Sequence, residues 1–215
     1  IPKEMISEQL IRSYELLADR ADSTFMKVKE IHGECVTCEP HCADCCHAVF
    51  GLFLIEAAYV NTHFNRLVSQ VRDEVISRCE EADRGLLKLE MMMKAFKDDP
   101  KMMQYSLAKE RIRCPLLNDN NECEIYNYRP ITCRIYGIPT SIHGKTRVCG
   151  RSEFKEGETY PIYYLDGTYR ELHGLSLELL SDFGVDDLEK ASLLFSVSKV
   201  LKTPIEDLIN DSLKG

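Results

Sequence analysis

The chain has 215 residues, of which 44% are hydrophobic and 29% charged, with ten cysteines and a net charge of -8. That length buries a core without covalent staples, and an acidic chain with no basic stripe has nothing with which to neutralise a nucleic-acid duplex. No run reaches the roughly 20 apolar residues of a membrane-spanning helix, the most apolar stretch, Ala48 to Val60, being broken by Gly51 and Glu56. Pro2-Lys3-Glu4-Met5 lacks the apolar region of an export signal. The expected compartment is therefore cytoplasmic and reducing, where clustered cysteines read as metal or redox sites rather than disulfides.

Residues 4–30 predict a long amphipathic helix, because Ile6, Leu10, Tyr14, Leu17, Ala21, Phe25 and Val28 recur at steps of three and four. Such a seam packs on its own core, or else joins two copies into an oligomer. Gly33 ends it and leads into a cysteine loop. His47 to Phe53 reads as a short buried segment, and a helix starts near Leu54 or Ile55. A longer helix is expected over 67–97, with Val68, Val71, Val75, Cys79, Ala82, Leu86, Leu89, Met93 and Phe96 on one stripe. Asp98-Asp99-Pro100 stops it and starts the next, which runs to about Arg111.

From Arg113 to Arg151 the chain is loop-rich, with a turn signal at Asn118-Asp119-Asn120-Asn121. A hairpin is expected from Ile162–Leu165 to Thr168–Glu171, since Asp166-Gly167 suits a type I' turn. Thr203-Pro204-Ile205-Glu206 starts a terminal helix. The fold class is mostly α with little β: helices frame an irregular cysteine-rich centre in a single domain, 1–215. Its cysteine core spans about 35–151, between the amino-terminal helix 4–30 and a carboxy-terminal helical extension, 172–215.

Cys35, Cys38, Cys42, Cys45 and Cys46 fall within twelve residues, and Cys114, Cys123, Cys133 and Cys149 follow. Steps of two and three residues let sulfurs converge on one metal or cluster. Adjacent Cys45 and Cys46 cannot both reach one ion comfortably, because neighbouring Cβ atoms diverge. Two centres, or one polynuclear cluster, follow. The expected ligands are Cys38, Cys42, Cys45, Cys46, Cys114, Cys123, Cys133 and Cys149. Cys35 either replaces one of these or lies outside the site, whereas Cys79, on an apolar helix stripe, reads as a buried inert thiol. His41 and His47 flank the loop as supporting residues rather than ligands. Met91-Met92-Met93, Met102 and Met103 read as helical core rather than soft copper ligands.

Cys114-Pro115-Leu116-Leu117, Cys123-Glu124-Ile125-Tyr126 and Arg129-Pro130-Ile131-Thr132-Cys133-Arg134-Ile135-Tyr136, downstream of Cys38-x3-Cys42-x2-Cys45-Cys46, resemble the YkgJ-like cysteine-cluster family over about residues 38–150. The resemblance implies chelation of zinc or iron, with an iron–sulfur cluster in some members, and a related signature occurs in flagellin lysine methylases. No Gly-rich strand-to-helix loop or doubly wound pattern accompanies it here. Pro130 can open a short helix that places Cys133 at its N-terminal turn. Arg129 and Arg134 are expected to offset the charge of the site as donors behind the ligands, with Tyr126 and Tyr136 packed around it.

The function expected is that of a cysteine-ligated metal protein with one or two [4Fe-4S] clusters, exchanging electrons with a protein redox or assembly partner. The alternatives are a structural zinc-binding interaction module and a metal-dependent methyltransferase related to the flagellin lysine methylases.

Overall fold

The structure, a computed structural model, describes residues 6–210. Helix α1 spans Glu8–Ile31, and its Ser7 cap accepts a hydrogen bond from the Leu10 amide at 3.2 Å. Leu10, Tyr14, Leu17, Ala21 and Val28 are buried on one face. That face packs on α5 (Ile131–Ile135) and α6 (Leu165–Asp182), so the apolar stripe is used within the chain itself. Helix α2, Leu54–Phe64, is buried almost all round and lies at the centre of the core, as expected of a helix with no polar face. It contacts α6, α7 (Val197–Lys202) and α8 (Ile205–Asn210). Leu52, just ahead of α2, exchanges backbone hydrogen bonds with Phe195, which fastens the last quarter of the chain to the core.

Helix α3, Ser69–Ala95, buries Val75, Cys79, Ala82 and Leu89 on the expected stripe. Asp99 then caps α4, Pro100–Lys109, accepting from the Met102 amide with Pro100 in the first turn. The expectation that the methionines fill core is corrected in part: Met92 and Met103 are half-buried between α3 and α4. Met91, Met93 and Met102 are exposed, because the far half of α3 is covered by little besides α4.

The hairpin is also corrected. It is built from β1, Thr140–Ile142, and β2, Lys145–Arg147, paired antiparallel, with β3, Tyr163–Tyr164, parallel on the other side of β1. His143 and Gly144, with φ of 49° and 72°, supply the two left-handed residues that a tight hairpin turn requires. Asp166-Gly167 instead occupies the first turn of α6. There the Asp166 carboxylate favours the helix N-terminus and accepts from the His143 amide at 3.0 Å. The buried residues that follow, Thr168, Leu172, Ser176 and Leu179, keep the helical period.

One ionic clamp holds α5 to α1. Arg134, whose side chain is 5% exposed, pairs with Asp22 and also donates to the carbonyls of Asn127 and Arg129. Arg129 donates to the same carboxylate at 3.3 Å. Asp22→Asn leaves a buried guanidinium with carbonyl partners alone. Asp22 is itself 38% exposed, so the expected loss in urea unfolding is about 2 kcal/mol, below the range for a fully buried pair.

Candidate metal centre

After α1 the chain enters the cysteine loop, and two backbone seams join the loop to the distant cysteines. At one end the Cys114 amide donates to the Cys46 carbonyl at 2.7 Å and the Ile112 amide to that of His47 at 3.2 Å. At the other, the Glu153 amide donates to the Cys35 carbonyl at 2.9 Å and the Thr37 hydroxyl to that of Arg151 at 2.7 Å. Cys114 is thereby tied to the Cys45-Cys46 end and Cys149 to the Cys35–Cys38 end. Between them His41 adopts a left-handed conformation, φ 66°, and its Nδ1 meets the Asn120 carbonyl at 3.0 Å. His47 Nδ1 meets the Ala43 carbonyl at the same distance. Both histidines thus engage backbone, in keeping with supporting roles.

Five thiols, Cys45, Cys46, Cys114, Cys123 and Cys133, line one solvent-open cleft. Its walls are apolar, among them Val49, Phe50, Leu86 and Ile112. A single 3-10 turn, Asp44–His47, presents Cys45 and Cys46. Helix α5 presents Cys133, whose amide bonds to the Pro130 carbonyl, so Pro130 does open a short helix with this cysteine in its first turn. The backbone amides two residues on, at Leu116 and Ile125, favour the thiolates of Cys114 and Cys123 against the effect of burial.

Such crowding governs ionisation. Donation from Cys133 and Cys46 pushes the Cys45 thiol down to about 3. Cys46 and Cys133 are driven up by their bonds to Cys45 and by burial. Burial raises Cys114 to about 12 and Cys123 to about 11.

A second group comprises Cys38, Cys42 and Cys149. Burial, followed by the charges of Cys42 and Cys149, pushes Cys38 up to about 12. Cys149 accepts from the Arg151 amide at 3.4 Å, and its thiol donates to Asp44 Oδ2 at 3.3 Å. Arg111 donates to the other Asp44 oxygen at 2.6 Å and to the Asp44 carbonyl at 3.0 Å. Cys38 rests directly on Gly137, where a side chain would overlap its sulfur. Among the described residues, no three His, Cys, Asp or Glu side chains stand at coordination distance from one common point.

The structure therefore places the eight expected ligands in two neighbourhoods, with Asp44 and Cys45 adjacent in sequence but facing different ones. Cys35 lies apart, with Glu34 Oε1 3.7 Å from its sulfur. Cys79 is fully buried on the α3 stripe. The expected role of Arg134 is corrected, because its donors go to Asp22 and to carbonyls, and none goes to a thiol. Arg129 likewise bonds Asp22 and the Tyr126 carbonyl, although its charge favours the thiolates of Cys45 and Cys123. Tyr126 is 62% exposed and carries the Arg129 guanidinium on its face instead of packing around the thiols. Tyr136 is half-buried, close enough to Arg111 for the two to affect each other's charge.

Asp44, Arg111 and Gly137 were not singled out by the sequence reading; only the position of Asp44 among cysteines signalled it. Among the described residues no helix is long and apolar enough to cross a membrane. No curated protein and no solved structure matches the chain. A family model does, over residues 37–150, which is just over half of the chain and includes all eight expected ligands. The chain belongs to the CxxCxxCC family, whose domain is described as a "putative zinc- or iron-chelating domain".

Proposed function

We propose that the chain is an iron–sulfur protein with a [4Fe-4S] cluster in the five-thiol cleft, exchanging electrons with a protein partner. The observation that carries this reading is the number and placement of donors. Five sulfurs around one cleft exceed the four donors that one tetrahedral ion takes up, and the adjacent pair Cys45 and Cys46 suits separate metal atoms better than one. A bound cluster supplies one-electron chemistry. The protein's own groups set its potential: apolar walls of Val49, Phe50, Leu86 and Ile112, the amides that favour the Cys114 and Cys123 thiolates, and the nearby charge of Arg129. The solvent-open side of the cleft is the approach for a redox partner.

Protein purified without oxygen is expected to be brown, with broad visible absorption and matching iron and acid-labile sulfide. Cys133→Ser is expected to remove most of that iron, and Cys79→Ser to retain it. A colourless protein holding stoichiometric zinc in the cleft rejects the cluster and leaves the structural zinc module. Heat on titration with S-adenosylmethionine would instead favour the methyltransferase reading.

A further inference from the structure

The charges of the chain are unevenly placed. Residues 125–152 contain Arg129, Arg134, Lys145, Arg147 and Arg151, whereas all 35 aspartates and glutamates lie outside that stretch. Arg129 and Arg134 are engaged by Asp22. Lys145, Arg147 and Arg151 are exposed, and among the described residues they form no salt bridge. We infer that this surface, the open edge of β2, docks an extended acidic segment of a partner protein as an added strand. The inference goes beyond the cluster reading and holds whichever metal the cysteines bind.

Strand β2 lies at the end of the three-stranded sheet, paired with β1 alone, and all three of its residues are exposed. The turn at His143-Gly144 decides which backbone groups it leaves open. Such a turn closes on a hydrogen bond between the residues that flank it, so Ile142 and Lys145 are a bonded pair and the next pair, Ser141 and Thr146, is not. The Thr146 N–H and C=O therefore point away from β1, where an incoming strand can pair with them. Lys145 and Arg147, two residues apart, stand on one face of β2. The edge is held in shape from behind, where β1 pairs with β3 and Asp166 accepts from the His143 amide at 3.0 Å. The charges also choose the occupant. A second copy of β2, paired antiparallel about Thr146, would set Lys145 against Arg147, and like charges directly opposite are destabilising. A strand with acidic side chains at alternate positions gains two opposite-charge pairs in the same register. Three cations are too few to hold a nucleic-acid duplex on a chain of net charge -8.

Fluorescence anisotropy of a labelled peptide of alternating glutamate and threonine, titrated with the purified full chain, tests this. Saturable binding is expected, weakening as salt rises from about 0.1 to 1 M and the screening length falls from about 10 to 3 Å. Thr146→Pro removes the outward N–H and keeps the bonded pairs with β1, so the folded variant should bind the peptide about tenfold more weakly. Lys145→Glu combined with Arg147→Glu should lose the acidic peptide and gain one of alternating lysine and threonine. A peptide of alternating glutamate and proline has the same charge but cannot pair as a strand, and the unaltered protein should bind it as weakly as Thr146→Pro binds the first. Equal binding of the threonine and proline peptides overturns strand addition, as does undiminished binding by folded Thr146→Pro. No binding of the acidic peptide at low salt overturns the docking surface. A single-stranded RNA oligonucleotide held more tightly than the peptide overturns its assignment to a protein partner.

Discussion

Gly137→Ala is expected to give a folded protein that has lost the metal held by Cys38. A Cβ at this position falls on the Cys38 sulfur, and it lies 3.2 Å from Phe25 Cε2 and 3.4 Å from Cys38 Cβ. Phe25 is held by α1, so the cysteine is the group that moves. Overpacking of this kind costs about 1–3 kcal/mol, and for a chain of this length 2 kcal/mol lowers Tm by about 4–8 °C. The larger effect is on metal content. A thiol pushed aside by the width of a methyl group no longer closes a shell with bonds of about 2.3 Å. Elemental analysis should show less bound metal in Gly137→Ala than in wild type, as in Cys38→Ser. Full metal content in Gly137→Ala would show that Cys38 is not a ligand.

The helices and the cysteine motifs that the family model matches were legible in the sequence because both are local signals. Leu10, Tyr14, Leu17 and Ala21 are spaced for one buried helix face, and they occupy it. Asp99-Pro100 is a cap by its own chemistry. The division of the donors was not legible. It depends on seams between Cys46 and Cys114 and between Cys35 and Glu153, and no spacing within either motif encodes which end of the loop each downstream cysteine meets. Asp166-Gly167 failed for a related reason: the pair suits a tight turn and a helix start equally, and contact with His143 from the neighbouring hairpin accompanies the second outcome. Gly137 gave no signal because its requirement is space beside Cys38, with no special backbone angle. Glu56 did leave a trace, as the lone acid within the apolar run Ala48–Val60.

That carboxylate gives the chain a stability that should fall as pH rises from about 4 to neutrality. Glu56 is 3% exposed in the middle of the core. One of its oxygens accepts from the Ile131 amide at 3.0 Å and the other from the Phe53 amide at 3.4 Å, so it bridges the start of α2 to the start of α5, two residues before Cys133. Burial raises its carboxyl to about 7, even though both amides and the Arg134 charge favour ionisation. In the unfolded chain the same group titrates near 4.3. Between those values the folded state holds a proton that the unfolded state has released, so stability declines across that window, by about 4 kcal/mol in all, and levels off above it. Glu56→Gln cannot ionise, and its amide offers one acceptor for two N–H donors. It should therefore be less stable than wild type near pH 5, by about 1–3 kcal/mol for the amide left unpaired, and the difference should close towards pH 8. Urea unfolding at pH 5, 6, 7 and 8, with wild type and variant at equal metal content, measures the difference directly. A gap that stays constant from pH 5 to 8 would mean that Glu56 is ionised throughout. Ile131, and with it the helix that carries Cys133, would then be held by a buried negative charge instead of a carboxyl group that takes up a proton below neutrality.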